Sequence, residues 1–201
     1  LWAELTKDSS MTDVPIGLIT SAVGATAIEK WATCAGPGSL YTGQVKGLQP
    51  YVIHGIIWYQ GEWDARGGGA ENYYLQLECL IEEWRTDWRL TEVKFYIVQM
   101  PKMGIGKIHI VRDAELHNYF LDDTVEMIVS IDFEDGGDAV HPPKEQFGKR
   151  LSNLALMKEY GQPIEASSPV HNENLSYADG PDITVFFNYT YGGLLSQTQT
   201  P

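Results

Sequence analysis

"HGIIWYQGEWDA", residues 54–65, decides how the chain is read. Ile56-Ile57-Trp58-Tyr59 is a continuous apolar run, the signature of a strand buried on both faces. It stops abruptly at an amide, a glycine and a carboxylate, Gln60-Gly61-Glu62. Open α/β sheets place their sites at the carboxyl ends of such strands.

Working outward, three more apolar runs have the same character. Val14–Val23 ends in Gly24, Val93–Met100 is stopped by Pro101, and Met127 leads to Asp132. Helical periods lie between them. Over 70–89, Tyr74, Leu77, Ile81, Trp84 and Trp88 fall three and four apart and form one stripe. Residues 109–120 read as a second helix. Pro142-Pro143 opens a third, with Phe147, Leu151, Leu154 and Ala155 on one face and Gly161 as the stop. This alternation predicts a parallel sheet covered on both faces, a three-layer α/β/α fold, whose strand order is not readable. After Gly161 the helical stripe disappears and the chain alternates around Ile183–Phe187. Residues 1–161 are thus expected to form the α/β domain, and 162–201 the start of a β-rich region.

The formal net charge of −13 argues against nucleic acid and anionic membranes as partners, since both need clustered Lys and Arg. No run of about 18 apolar residues is present, so no membrane span is expected. The two cysteines, Cys34 in a loop and Cys79 on a helix, are expected to be free thiols.

A second polar stretch, "SIDFEDGGDAVHPPKEQFGKRL" (130–151), follows the fourth strand. Asp138 and His141 are three apart in a loop before a helix. That spacing lets the carboxylate accept from one imidazole nitrogen and leaves the other free as a base. The plainer reading is that Asp138 caps the helix and His141 lies on the surface. A metal site built from Asp132, Glu134, Asp135, Asp138 and His141 is the third option, but the ligand spacing of known motifs is absent, and neither metal nor cofactor is expected. Gln60 either satisfies loop backbone groups or donates its amide to an oxyanion, and Gly24 brings a backbone N–H to the same edge.

Together these stretches resemble the SGNH hydrolases, and within them the sialate O-acetylesterase type of carbohydrate esterase. The matching segments are 14–31, 40–65, 73–88, "VRDAE" (111–115) and "DAVHPPKEQFGKRLSNLAL" (138–156), in family order. The resemblance implies an SGNH/flavodoxin-like fold and a serine esterase that removes acetyl groups from O-acetylated carbohydrates. His141 would be the general base, Asp138 its orienting acid, and Gln60 and Gly24 would form the oxyanion hole. The family usually carries two glycines and Thr where this chain has Gly24-Ala25-Thr26, so Ala25 is a second source of that N–H. Glu62 would support the loop, and Arg112 matches a family arginine without an assigned role.

The family's serine block, expected upstream of Val14, does not occur, and Ser9 and Ser10 are poorly placed to replace it. The nucleophile is therefore expected outside this chain, in an N-terminal portion of the same domain. Without it, these residues are expected to be poorly stable and catalytically silent. The alternative is a non-catalytic carbohydrate-binding protein, with Trp58, Tyr59 and Trp63 stacking on sugars. Family habit suggests a secreted, periplasmic or lysosome-like setting.

Overall fold

A computed structural model describes residues 15–133, 144–166 and 169–190. Its centre is a three-stranded parallel sheet in the order β1 (Gly55–Trp58), β2 (Lys94–Val98), β3 (Val125–Ile128). Gly55 pairs with Lys94, and Phe95 with Val125. The crossovers carry α1 (Glu62–Gly67), α2 (Tyr73–Trp88) and α3 (Ile108–Leu121), and α4 (Lys144–Lys158) follows β3.

Side-chain alternation along the strands makes the three layers. Phe95 and Ile97 of β2, with Val125 and Met127 of β3, face α2 and α3 through Leu77, Leu80, Trp84 and Val111. Tyr96, Val98 and Ile128 point the other way, onto Phe147 and Leu154 of α4. Burying each such side chain stabilises the fold by about 1.5–3 kcal/mol. The fold is the expected α/β/α sandwich with its parallel core sheet, joined by a separate antiparallel pair, β4 (Val170–Asp179) and β5 (Asp182–Asn188). Val170, at the base of that hairpin, is fully buried in the larger core.

Three expectations are corrected. Residues 15–23 form no strand, and Leu18 is 86 % exposed. A parallel strand needs a neighbour on its edge, and among the described residues nothing pairs with the outer edge of β1, where Ile57 is 58 % exposed. Second, Cys34 and Cys79 are bonded to each other, with their Cα atoms 6.1 Å apart. The loop after Trp31 lies against α2, where the Thr33 N–H donates to Glu83, and this brings the two sulfurs together. Third, the last strand ends at Ile128, short of Asp132, because Phe133 N–H bonds back to Ser130 and turns the chain.

Trp58 is core, not a sugar platform. Its ring meets Trp31 and Trp84 edge-on, with centroids 6.4 and 5.9 Å away. Tyr59 is half-buried against Phe147, while Trp63 is exposed.

Candidate active site

The polar groups that end β1 are held by a network reaching three other segments. The Trp58 indole donates to the Tyr73 hydroxyl at 3.2 Å, which donates to the Gln60 carbonyl at 2.6 Å. Helix α2 thereby fixes where the strand stops. The next residue has to be glycine. A Cβ on Gly61 would lie 2.6 Å from Val111 on α3 and 3.1 Å from Met100.

The Gln60 amide then makes two bonds. Its Nε2 donates to the Thr26 carbonyl at 2.8 Å and to Asp64 at 2.6 Å. Both neighbours are acceptors, so this orientation of the amide is the one that satisfies them. Both amide hydrogens are committed, and none remains for an oxyanion while this arrangement holds. Oε1 is buried without a hydrogen-bond partner among the described residues. As placed here, Gln60 braces the Gly24-Ala25-Thr26 turn against the end of β1.

Asp64 is the hub of that brace. It is buried in the first turns of α1 and also accepts from the Ile28 N–H at 3.1 Å. Burial raises its carboxyl above the ordinary range, against the opposing hydrogen bonds from Gln60 and Ile28. The turn it holds carries strain of its own. Ala25 has φ of +55°, the left-handed region where L-residues are disfavoured and glycine is at home. A glycine at this position would adopt that conformation without the cost. Gly24 itself is exposed, and a Cβ added there would meet nothing within 4 Å among the described residues.

The carboxyl end of β2 is tied down similarly. Glu115 of α3 is fully buried and accepts from the Met100 N–H at 2.9 Å, while its other oxygen has no hydrogen-bond partner among the described residues. Burial pushes this carboxyl well above its usual value, more than the Met100 bond and the charge of Arg112 pull it down. Glu62 opens α1 beside this group and is partly exposed.

Arg112 lies on α3, next to the Val111 that packs on Gly61. Its carbonyl accepts from Gln99 at 3.3 Å, but its guanidinium has no ion-pair or hydrogen-bond partner among the described residues, and Nε is buried. Burial lowers its pKa, against the raising effect of Glu115. It lines a cleft of about 350 Å³ at the carboxyl ends of β2 and β3, closed on one side by the β4–β5 hairpin.

Gln60, Gly24, Glu62 and Arg112 are thus gathered at one edge of the sheet. Asp138 and His141 lie outside the described residues. Asp132, a candidate metal ligand, forms a two-pronged pair with Arg150, one oxygen at 2.8 Å. Burial alone would raise its pKa, and Arg150 outweighs that to hold it below the ordinary range. Among the described residues, the metal-ligand grouping Cys34, Cys79 and Glu83 has its two sulfurs joined to each other.

Asp64, Tyr73 and Glu115 escape a reading of the sequence alone. Asp64 has a faint signal, four residues after Gln60, one helical turn on. Glu115 also has one, on the same helical face as Arg112. Nothing signals that the hairpin closes the cleft.

Comparisons with known proteins bear on the chain as a whole. The chain is 34% identical over 123 residues to a "Probable carbohydrate esterase" of Arabidopsis thaliana, over 57% of this chain and 45% of that protein. The crystal structure of a novel carbohydrate acetylesterase from Xanthomonas citri superposes with a TM-score of 0.77 at 29% identity, covering 94% of this chain and 46% of that one. The X-ray structure of the Arabidopsis protein gives 0.65 at 28% identity, over 78% of this chain and 66% of that one. The chain spans about half the length of the curated relative it matches. Residues 2–157 match the family described as carbohydrate esterase, sialic acid-specific acetylesterase, and the chain belongs to that family.

Proposed function

We propose that this chain is the part of a carbohydrate O-acetylesterase that bears the base and shapes the oxyanion hole. The observation that carries the reading is the Gln60–Thr26–Asp64 brace, which presents a strained backbone turn at the carboxyl edge of a parallel sheet. His141, oriented by Asp138, takes the proton from a serine hydroxyl supplied outside this chain. The serine oxygen attacks the acetyl carbonyl, and a backbone N–H of the Gly24-Ala25 turn stabilises the oxyanion. The bond to the sugar oxygen then breaks, and His141 gives its proton to that oxygen, which leaves as the sugar hydroxyl. Water, deprotonated by the same imidazole, releases acetate from the acyl-serine. Gln60 and Asp64 act by holding the turn in place, and Glu62 supports the start of α1.

The open outer edge of β1 and exposed Ile57 and Val52 support a further strand on that side, contributed by the serine-bearing portion. The Cys34–Cys79 bond supports an oxidising compartment, in line with secretion, the periplasm or a lysosome-like setting.

Protein isolated from its source tests all of this. A fluorophosphonate probe is expected to label a serine outside residues 1–201, and His141→Ala is expected to abolish both labelling and acetate release. A maleimide is expected to modify Cys34 and Cys79 only after reduction. A folded protein with the upstream portion present, but with no reactive serine, would replace the enzyme with a carbohydrate-binding protein.

A further inference from the structure

The cleft between α3 and the β4–β5 hairpin has its own chemistry. Gln99, His109, Arg112 and Asp113 contribute from the sheet and helix side, and His171 and Phe187 from the hairpin. At about 350 Å³ it is near the lower end of small-molecule sites, with room for one sugar.

Its notable group is Arg112, a partly buried cation whose guanidinium has no ion-pair or hydrogen-bond partner among the described residues. Glu115, one turn along the helix, is outside ion-pairing distance and spends one oxygen on the Met100 N–H. Asp113 is exposed at the rim, where water screens it. A guanidinium withdrawn from water without an anion is costly, and such groups are kept where a ligand supplies the charge. Its planar fork matches a carboxylate in two bonds.

The rest of the lining fits a sugar that bears such a group. Phe187 offers an apolar face, with the His171 ring edge-on to it at 6.1 Å. His171 Nε2 is engaged with Ser176 at 3.0 Å, which orients the ring. Arg112 is the lone permanently charged cation lining the cleft, which suits the single charge of a carboxylate better than the two of a phosphate monoester.

We propose that this cleft is a subsite for the carboxylate of an acidic sugar, recognised by Arg112. The proposal rests on the esterase reading for why a sugar is there, but its binding chemistry needs no serine. An acidic sugar can be a sialic acid or a uronic acid, and the experiment separates them.

The test is calorimetric titration of the complete protein with N-acetylneuraminic acid and with galacturonic acid, each against its own methyl ester. At least one acid is expected to bind about tenfold or more tightly than its uncharged ester, the acid showing the preference naming the sugar. In Arg112→Gln, with circular dichroism as the fold control, that preference is expected to shrink to about twofold or less. Equal binding of acid and ester by the unaltered protein overturns the proposal without need of any variant. So does a preference that survives in folded Arg112→Gln. Hydrolysis of acetylated sugars is measured alongside. Its absence, with the acid preference intact, counts against the esterase reading and leaves the subsite standing.

Discussion

Two arginines occupy opposite edges of the same sheet, and their surroundings differ in kind. Arg85, near the end of α2, lies at the amino edge. Its Nε donates to the Val93 carbonyl at 3.0 Å, its Nη atoms reach Asp122 and the Thr124 hydroxyl, and its plane lies over Phe95. Burial alone would raise the Asp122 pKa, and the bonds from Thr124 and Arg85 outweigh it to hold the carboxylate low. Arg112 at the carboxyl edge has none of this. The Arg85 cluster closes its polar groups on one another, whereas the carboxyl edge leaves a cation, the Gln60 Oε1 and a Glu115 oxygen without hydrogen-bond partners among the described residues. Open α/β folds place their ligand sites at the carboxyl ends of the strands, the edge where these groups are left unpaired.

The largest expected effect tests that contrast directly. Arg85→Ala removes the bonds to Val93, Asp122 and Thr124 and opens the contacts of α2 with β2 and β3, and should cost about 2–3 kcal/mol in urea unfolding. Arg112→Gln in the same assay should change stability by no more than about 0.5 kcal/mol, in either direction. Comparable losses from both would erase the comparison.

The next effect depends on pH. The Glu115 carboxyl has its folded-state pKa raised by burial, so the folded state holds its proton where the unfolded chain releases it. Below the unfolded value of about 4.3 both states are protonated, and Glu115→Gln should match the parent. As pH rises past that point the parent loses stability relative to the variant, until the folded carboxyl itself ionises. Unfolding at pH 4 and pH 8 checks the sign. A variant advantage that shrank with rising pH would mean Glu115 is ionised in the fold.

The smallest effect concerns the strained turn. Ala25→Gly relieves the left-handed conformation at some cost in unfolded-chain entropy, with a net gain of about 0.5–1 kcal/mol. A melting temperature that fell in the variant would show that the turn is not left-handed in the protein.

Much of the fold was legible because burial on two faces and a 3.6-residue stripe are local patterns. Residues 70–89 and 109–120 appear as α2 and α3, and 93–100 appears as β2. The run 14–23 carries the same apolar pattern as β1, yet residues 15–23 are not a strand, because a strand is made by its neighbour and not by its own residues. The cysteine pairing was hidden for a similar reason: its 45-residue separation says nothing about two Cα atoms being 6.1 Å apart.

The candidate site divides the same way. The sequence by itself determined which residue types end β1, Gln60, Gly61 and Glu62, since strand ends are written in local order. Only the tertiary structure decided what those groups do. It committed both hydrogens of Gln60 to Thr26 and Asp64, buried Glu115 beneath Met100, and closed a hairpin over Arg112. Hydrogen-bond partners, withdrawal from water and the lack of a counter-ion depend on which distant segments meet. Those meetings follow from packing the whole core, and no local stretch of sequence records them.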